Sequence, residues 1–96
     1  MATYKKGDDE TLDFGIDWSD WCTKEGVTLE SSTWVVPTGI VNENEVSSDT
    51  ATAIFLSGGT IDSLYKVTNI VTATKAGGTI EAERSLNIFI VEDKYS

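Results

Sequence analysis

Apolar and polar residues alternate with a period of two along much of this chain. Leu12, Phe14, Ile16 and Trp18 share one face of a first segment, and Asp13, Gly15 and Asp17 share the other. That is the pattern of a half-buried strand. Ser19-Asp20 breaks the phase, Trp21 resumes it, and Lys24-Glu25-Gly26 reads as a turn. Val27 to Val36 is a second strand region. Its Val27 and Leu29 fall in phase with Trp34 and Val36 only through a one-residue slip, which the pattern places at Ser31-Ser32 as a β-bulge. Pro37 stops the ladder. Ile40-Val41 reads as a short strand, Asn42 to Glu45 as a polar loop, and Val46 to Asp49 as a short edge strand. Thr50 to Leu56 is a firmer strand. Its run Ile54-Phe55-Leu56 is apolar in succession, as in a strand covered on both faces, or with one face in a core and the other at an interface.

A glycine turn at Gly58-Gly59 then leads to a strand opened by Tyr65. Tyr65, Val67, Asn69, Val71 and Ala73 lie on one face; Lys66, Thr68, Ile70, Thr72 and Thr74 lie on the other. Lys75 to Gly78 is a hairpin connection. Thr79 to Val91 returns with Ile80, Ala82, Leu86, Ile88 and Ile90 alternating against polar positions and Phe89. No segment sustains a helical period. Residues 1–10 are polar and read as a flexible N-terminal arm, residues 11–96 as a single domain, and residues 92–96 as a polar tail within it. The expected fold is all-β, an Ig-like or fibronectin-III-like β-sandwich of about seven antiparallel strands. In such sandwiches a Tyr near the start of the penultimate strand ties the preceding corner through its hydroxyl. Trp18, Trp34, Gly58, Gly59 and Tyr65 are the fold-defining positions. The expected core is Leu12, Phe14, Ile16, Trp34, Val36, Phe55, Tyr65, Val67, Val71, Leu86, Ile88 and Ile90.

Charge changes the picture more than size does. The 96 residues carry a formal net charge of −9, from 16 acids against 7 bases. Such a field repels nucleic acid and anionic membrane and keeps a compact chain soluble. No apolar run approaches the length of a membrane span, and the N-terminus does not read as a signal peptide.

Candidate chemistry is sparse. There is no His and one Cys, so no intramolecular disulfide, zinc site or His-based acid–base pair is expected. Cys22, beside Trp21, reads as a small buried hydrophobe. The carboxylates of Asp13 and Asp17 share a strand's polar face, where such groups are ordinarily solvated. Gly58-Gly59 and Gly77-Gly78 lack phosphate-loop spacing and precede no helix. No catalytic, cofactor or metal residue is assigned. The Asp8-Asp9-Glu10 run and the 42–45 loop supply oxygens that calcium could use, without EF-hand spacing.

Five ordered blocks remain. They are residues 12–21, LDFGIDWSDW; 31–37, SSTWVVP; 56–60, LSGGT; 65–69, YKVTN; and 83–85, ERS. Together they resemble a family of small tailed-phage virion proteins labelled fibre–tail adaptors. Family members often carry Asp-Pro where Lys6-Gly7 stands, Trp where Phe55 stands and Leu where Cys22 stands. The resemblance implies an Ig-like, non-enzymatic virion protein, made in the host cytoplasm, that joins a tail fibre to the tail. Its partners would be other phage structural proteins, of tail and fibre or of capsid; it would be oligomeric in the virion and monomeric when isolated. Capsid decoration, or carbohydrate binding through Trp21, is the alternative. An adaptor must expose patches beyond its own core, and Tyr4, Trp21, Ile70 and Phe89 are the candidate interface residues.

Overall fold

The period-two segments become strands in the computed structural model, which describes residues 2–92. In chain order the elements are β1 (Ala2–Gly7), β2 (Leu12–Asp17), α1 (Ser19–Glu25), β3 (Ser31–Val35), β4 (Ile40–Ser47), β5 (Ala51–Gly58), β6 (Leu64–Lys75) and β7 (Gly78–Val91). They form two sheets, β1-β7-β6-β3 and β2-β5-β4. Val67, Val71, Ile88 and Ile90 from the first sheet meet Ile54 and Leu56 from the second, all fully buried in one core. Each such side chain contributes roughly 1.5–3 kcal/mol through its burial. The result is an all-β sandwich of seven strands.

Several elements differ from the sequence expectation, each for a physical reason. The expected flexible arm is strand β1 over Ala2–Gly7, and it pairs parallel to β7, so the strands are not all antiparallel. Its inward-facing Lys6 hides the strand pattern. That side chain is 1% exposed, and its Nζ donates to the carbonyls of Gly7 and Gly58, both at 2.7 Å. Helix α1 stands where a strand phase resuming at Trp21 and a turn at residues 24–26 are expected; its seven residues make barely two turns, too few to show a helical period. The Asp17 carboxylate accepts from the Ser19 N–H at its start, and Gly26, at φ 71°, ends it by donating to the Cys22 carbonyl.

Val27 and Leu29 lie in a connection rather than a strand, so no bulge is needed at Ser31-Ser32. The register shift falls in β4, between Asn42 and Asn44. β4 is one continuous edge strand; only Ile40 in it is buried, so it shows no alternation to read. Phe55 is not in the core. A strand sends successive side chains to opposite faces, so Ile54 and Leu56 point inward and Phe55 points out. Asp93 to Ser96 of the polar tail lie outside the described residues.

The expected corner tie is present. The Tyr65 hydroxyl accepts from the Thr60 N–H at 3.0 Å, across the turn from β5 to β6. Gly59 in that turn has φ +105°, and a Cβ there would fall 2.6 Å from Ile90 Cδ1. Only glycine fits such an approach in that backbone conformation.

One polar group crosses the core. Asn69, fully buried on β6, accepts from Trp18 Nε1 at 2.9 Å and from Thr52 Oγ1 at 2.6 Å. Its amide donates to Ser32 Oγ at 2.9 Å and to the Thr33 carbonyl at 3.1 Å. All four hydrogen-bonding positions of the side chain are filled. Trp34, by contrast, buries its Nε1 with no partner among the described residues. Trp18→Phe should therefore destabilise by about 1–2 kcal/mol more than Trp34→Phe, because only the first breaks a made hydrogen bond. Urea unfolding of the two variants measures this, and equal losses would show that the Trp18–Asn69 hydrogen bond contributes nothing to stability.

Candidate functional site

The side chains singled out from the sequence fall in three places. Tyr4, on the inward-facing phase of β1, packs its ring 5.6 Å from Phe14 of β2 and stays 41% exposed. It sits at the mouth of a cleft of about 450 Å³ between β1 and β2, which Asp17 and Arg84 also line. Both β1 and β2 are sheet edges, so this is where the sandwich opens sideways.

Trp21 lies on α1, half-buried, with its ring edge-on to Trp18 at 5.7 Å and 72°. Arg84 covers Trp18 as well. Its guanidinium lies 4.4 Å from the ring centroid, and Nη1 donates to the Asp17 carbonyl at 3.1 Å. A guanidinium stacked on indole is attracted by the ring's electron-rich face. The stack joins β7 to the start of α1. Sequence reasoning passed over Arg84, although a signal was there: Ile80, Ala82, Leu86 and Ile88 place residue 84 on the core-facing phase of β7.

Ile70 and Phe89 project from the outer face of the four-stranded sheet, both half-buried. Their cross-strand partners are Glu83 and Leu64 respectively. Six residues of β7 separate the two positions, about 20 Å at ordinary strand rise, so they do not form one patch. Leu64, 57% exposed, extends the apolar surface at Phe89. That face also carries Lys5 and Lys66 alongside Glu81 and Glu83, so its charges are mixed. The outer face of the three-stranded sheet is different. It presents Ala51, Ala53 and Phe55 at its centre and Val41 and Val46, each 51% exposed, on β4. None of these was an interface candidate from the sequence.

The titratable groups hold structure. Cys22 is buried, its Sγ 3.8 Å from the Asp49 carbonyl. Burial, with help from Asp17 and Asp49, pushes the thiol above its ordinary value, which leaves it protonated and a poor nucleophile. Glu25 pairs with Lys75 at 2.8 Å, and that contact lowers its carboxyl. The pair ties the β6–β7 hairpin to α1. The Thr60 hydrogen bond likewise lowers the Tyr65 phenol.

A family model described as podophage GP4 fiber-tail adaptor protein gp77 matches residues 6–88 of the chain. No curated protein matches.

Lys6 gives this architecture a measurable pH signature. Burial lowers its ammonium below the ordinary 10.5, against the opposing pull of Glu10, Asp8 and Asp9. Between the folded and unfolded values the unfolded chain holds more protons, so stability rises with pH in that window. Wild type should gain stability relative to Lys6→Met as pH climbs toward 10.5. The depressed Tyr65 phenol acts alike in both chains and cancels from the comparison. Urea titrations across pH 8 to 10.5 read the difference; parallel curves would mean that the Lys6 ammonium is not lowered in the folded chain.

Proposed function

The chain belongs to the family of podophage GP4 fiber-tail adaptor proteins gp77, and on that basis we propose that it is a non-enzymatic adaptor joining a tail fibre to the tail of the virion. The family match, over most of the chain, carries this reading. The molecule's chemistry supports it. With no His in the chain and a buried thiol pushed up by desolvation, the usual general base and an activated nucleophile are both missing. What the chain does offer is a braced sandwich with two broad solvent faces.

The scaffold reads as Ig-like. Support comes from the partition into four and three strands and from the Tyr65 hydroxyl anchored at the corner before its strand. Loops and faces of such a scaffold carry the function, not its core. The partners are other phage structural proteins of tail and fibre, and the chain is oligomeric there because tails are rotationally symmetric. Its acidic charge disfavours nucleic acid and anionic membrane as partners.

Quantitative mass spectrometry of purified virions tests the reading. An adaptor should be present on the order of ten copies per particle, a multiple set by the tail's rotational symmetry. Hundreds of copies would point to capsid decoration instead, and absence from the virion would overturn both.

A further inference from the structure

One strand is apolar on both faces. On β5, Thr52, Ile54 and Leu56 are buried, and the opposite face shows Ala51, Ala53, Phe55 and Ser57. The corresponding solvent face of β6 shows Lys66, Thr68, Ile70, Thr72 and Thr74, the mostly polar set expected when one side of an antiparallel sheet faces water. Three of the four outward positions of β5 break that rule. Their neighbours in register continue the break. Gly15 on β2 and Val46 on β4 flank Ala53, which leaves the middle of the face flat, and Phe55 lies between Asp13 and Asn44. The whole face, acidic rim included, spans roughly 15 by 25 Å at ordinary strand spacing and rise, the size of the largest patch on an ordinary monomer, so composition and charge rather than area single it out.

Charge identifies what covers this face. β2, β4 and β5 contain no Lys or Arg. Asp13 and Asp17 border the apolar centre on the β2 side, and Glu43 borders it on the β4 side, where it accepts from Ser57 Oγ at 2.5 Å. We infer that the outer face of β2-β5-β4 docks on another virion protein, onto an apolar surface rimmed by Lys and Arg. Face-to-face pairing with a second copy does not fit, since it would set Asp13, Asp17 and Glu43 against their own like charges. Head-to-tail pairing onto the Lys5, Leu64, Lys66 and Phe89 surface of another copy is the competing occupant that the coupling test below separates. Nucleic acid and anionic lipid have the wrong sign. This inference rests on the adaptor reading and adds the face and the partner's surface chemistry.

Virions assembled with substituted chains test it. Ala53→Arg places a long cation on the flat centre while leaving the buried face of β5 untouched. Thr68→Arg makes the same change on the opposite sheet's outer face. Asp13→Lys with Glu43→Lys reverses the rim without altering the centre, and circular dichroism confirms that each chain folds. Ala53→Arg and the double reversal should lower the copies per virion by about tenfold or more, the effect of about 1.4 kcal/mol of lost affinity, while Thr68→Arg should leave them unchanged. Zero-length carbodiimide coupling of wild-type virions should join Asp13, Asp17 or Glu43 to lysines of a different protein. Wild-type copy number in Ala53→Arg and the double reversal, or coupling only through Glu81 and Glu83 of the opposite face, would overturn this docking face and leave the adaptor reading standing. Links from Asp13, Asp17 or Glu43 to lysines of another copy would replace it with self-association. Absence of the wild-type chain from virions would overturn both readings.

Discussion

The Asn69 side chain is the constraint on which the sandwich depends. Its four hydrogen bonds reach β5, β3 and the residue leading into α1, so one amide fixes the spacing of the two sheets and the seat of the helix together. Hydrophobic burial drives the sheets together without choosing among alignments. A fully satisfied polar group in that interior does choose. Sliding β6 by one residue would turn Asn69 to solvent and Lys66, Thr68 and Ile70 inward, and would strand Trp18 Nε1 and Thr52 Oγ1 in the core. The apolar positions above and below Asn69 supply the stability. The amide excludes the neighbouring registers.

The sequence revealed the fold where alternation met burial on one side. β2, β6 and β7 all read directly, and so did the Tyr65 corner, because glycines and an aromatic at fixed spacing encode it locally. It misled where an inward position held a residue that looks solvated. Lys6 made β1 look like a loose arm, and Arg84 disguised a stacking site as surface charge. Both are inward-phase cations whose partners, the Gly58 carbonyl and the Trp18 ring, lie more than fifty residues away in the chain. No local pattern reports such partners. The edge strand β4 failed differently: with a single buried residue it has nothing to alternate. Of the interface candidates, Ile70 and Phe89 share the outer face of the four-stranded sheet, and only the β6–β7 register shows that they stand far apart on it.

The two outer faces are unlike for a reason that begins with composition. Sixteen acids against seven bases leave few cations to distribute. Several lie on the four-stranded sheet: Lys5 and Lys66 share its outer face with Glu81 and Glu83, and Lys6 is buried at one end of the core. The three-stranded sheet receives none. Free edges are managed locally, with a register shift and acidic side chains on β4 discouraging uncontrolled pairing there.

The parallel pairing of β1 with β7 has a consequence for synthesis. Of the seven described strands β1 is made first, and its sheet partner among them, β7, is made last. At bacterial elongation rates of roughly 5–20 residues per second, it waits several seconds with its hydrogen-bonding groups open while six further strands emerge. Closure of β1 onto β7, with Lys6 seated on the Gly58 carbonyl, therefore has to wait until β7 has been made.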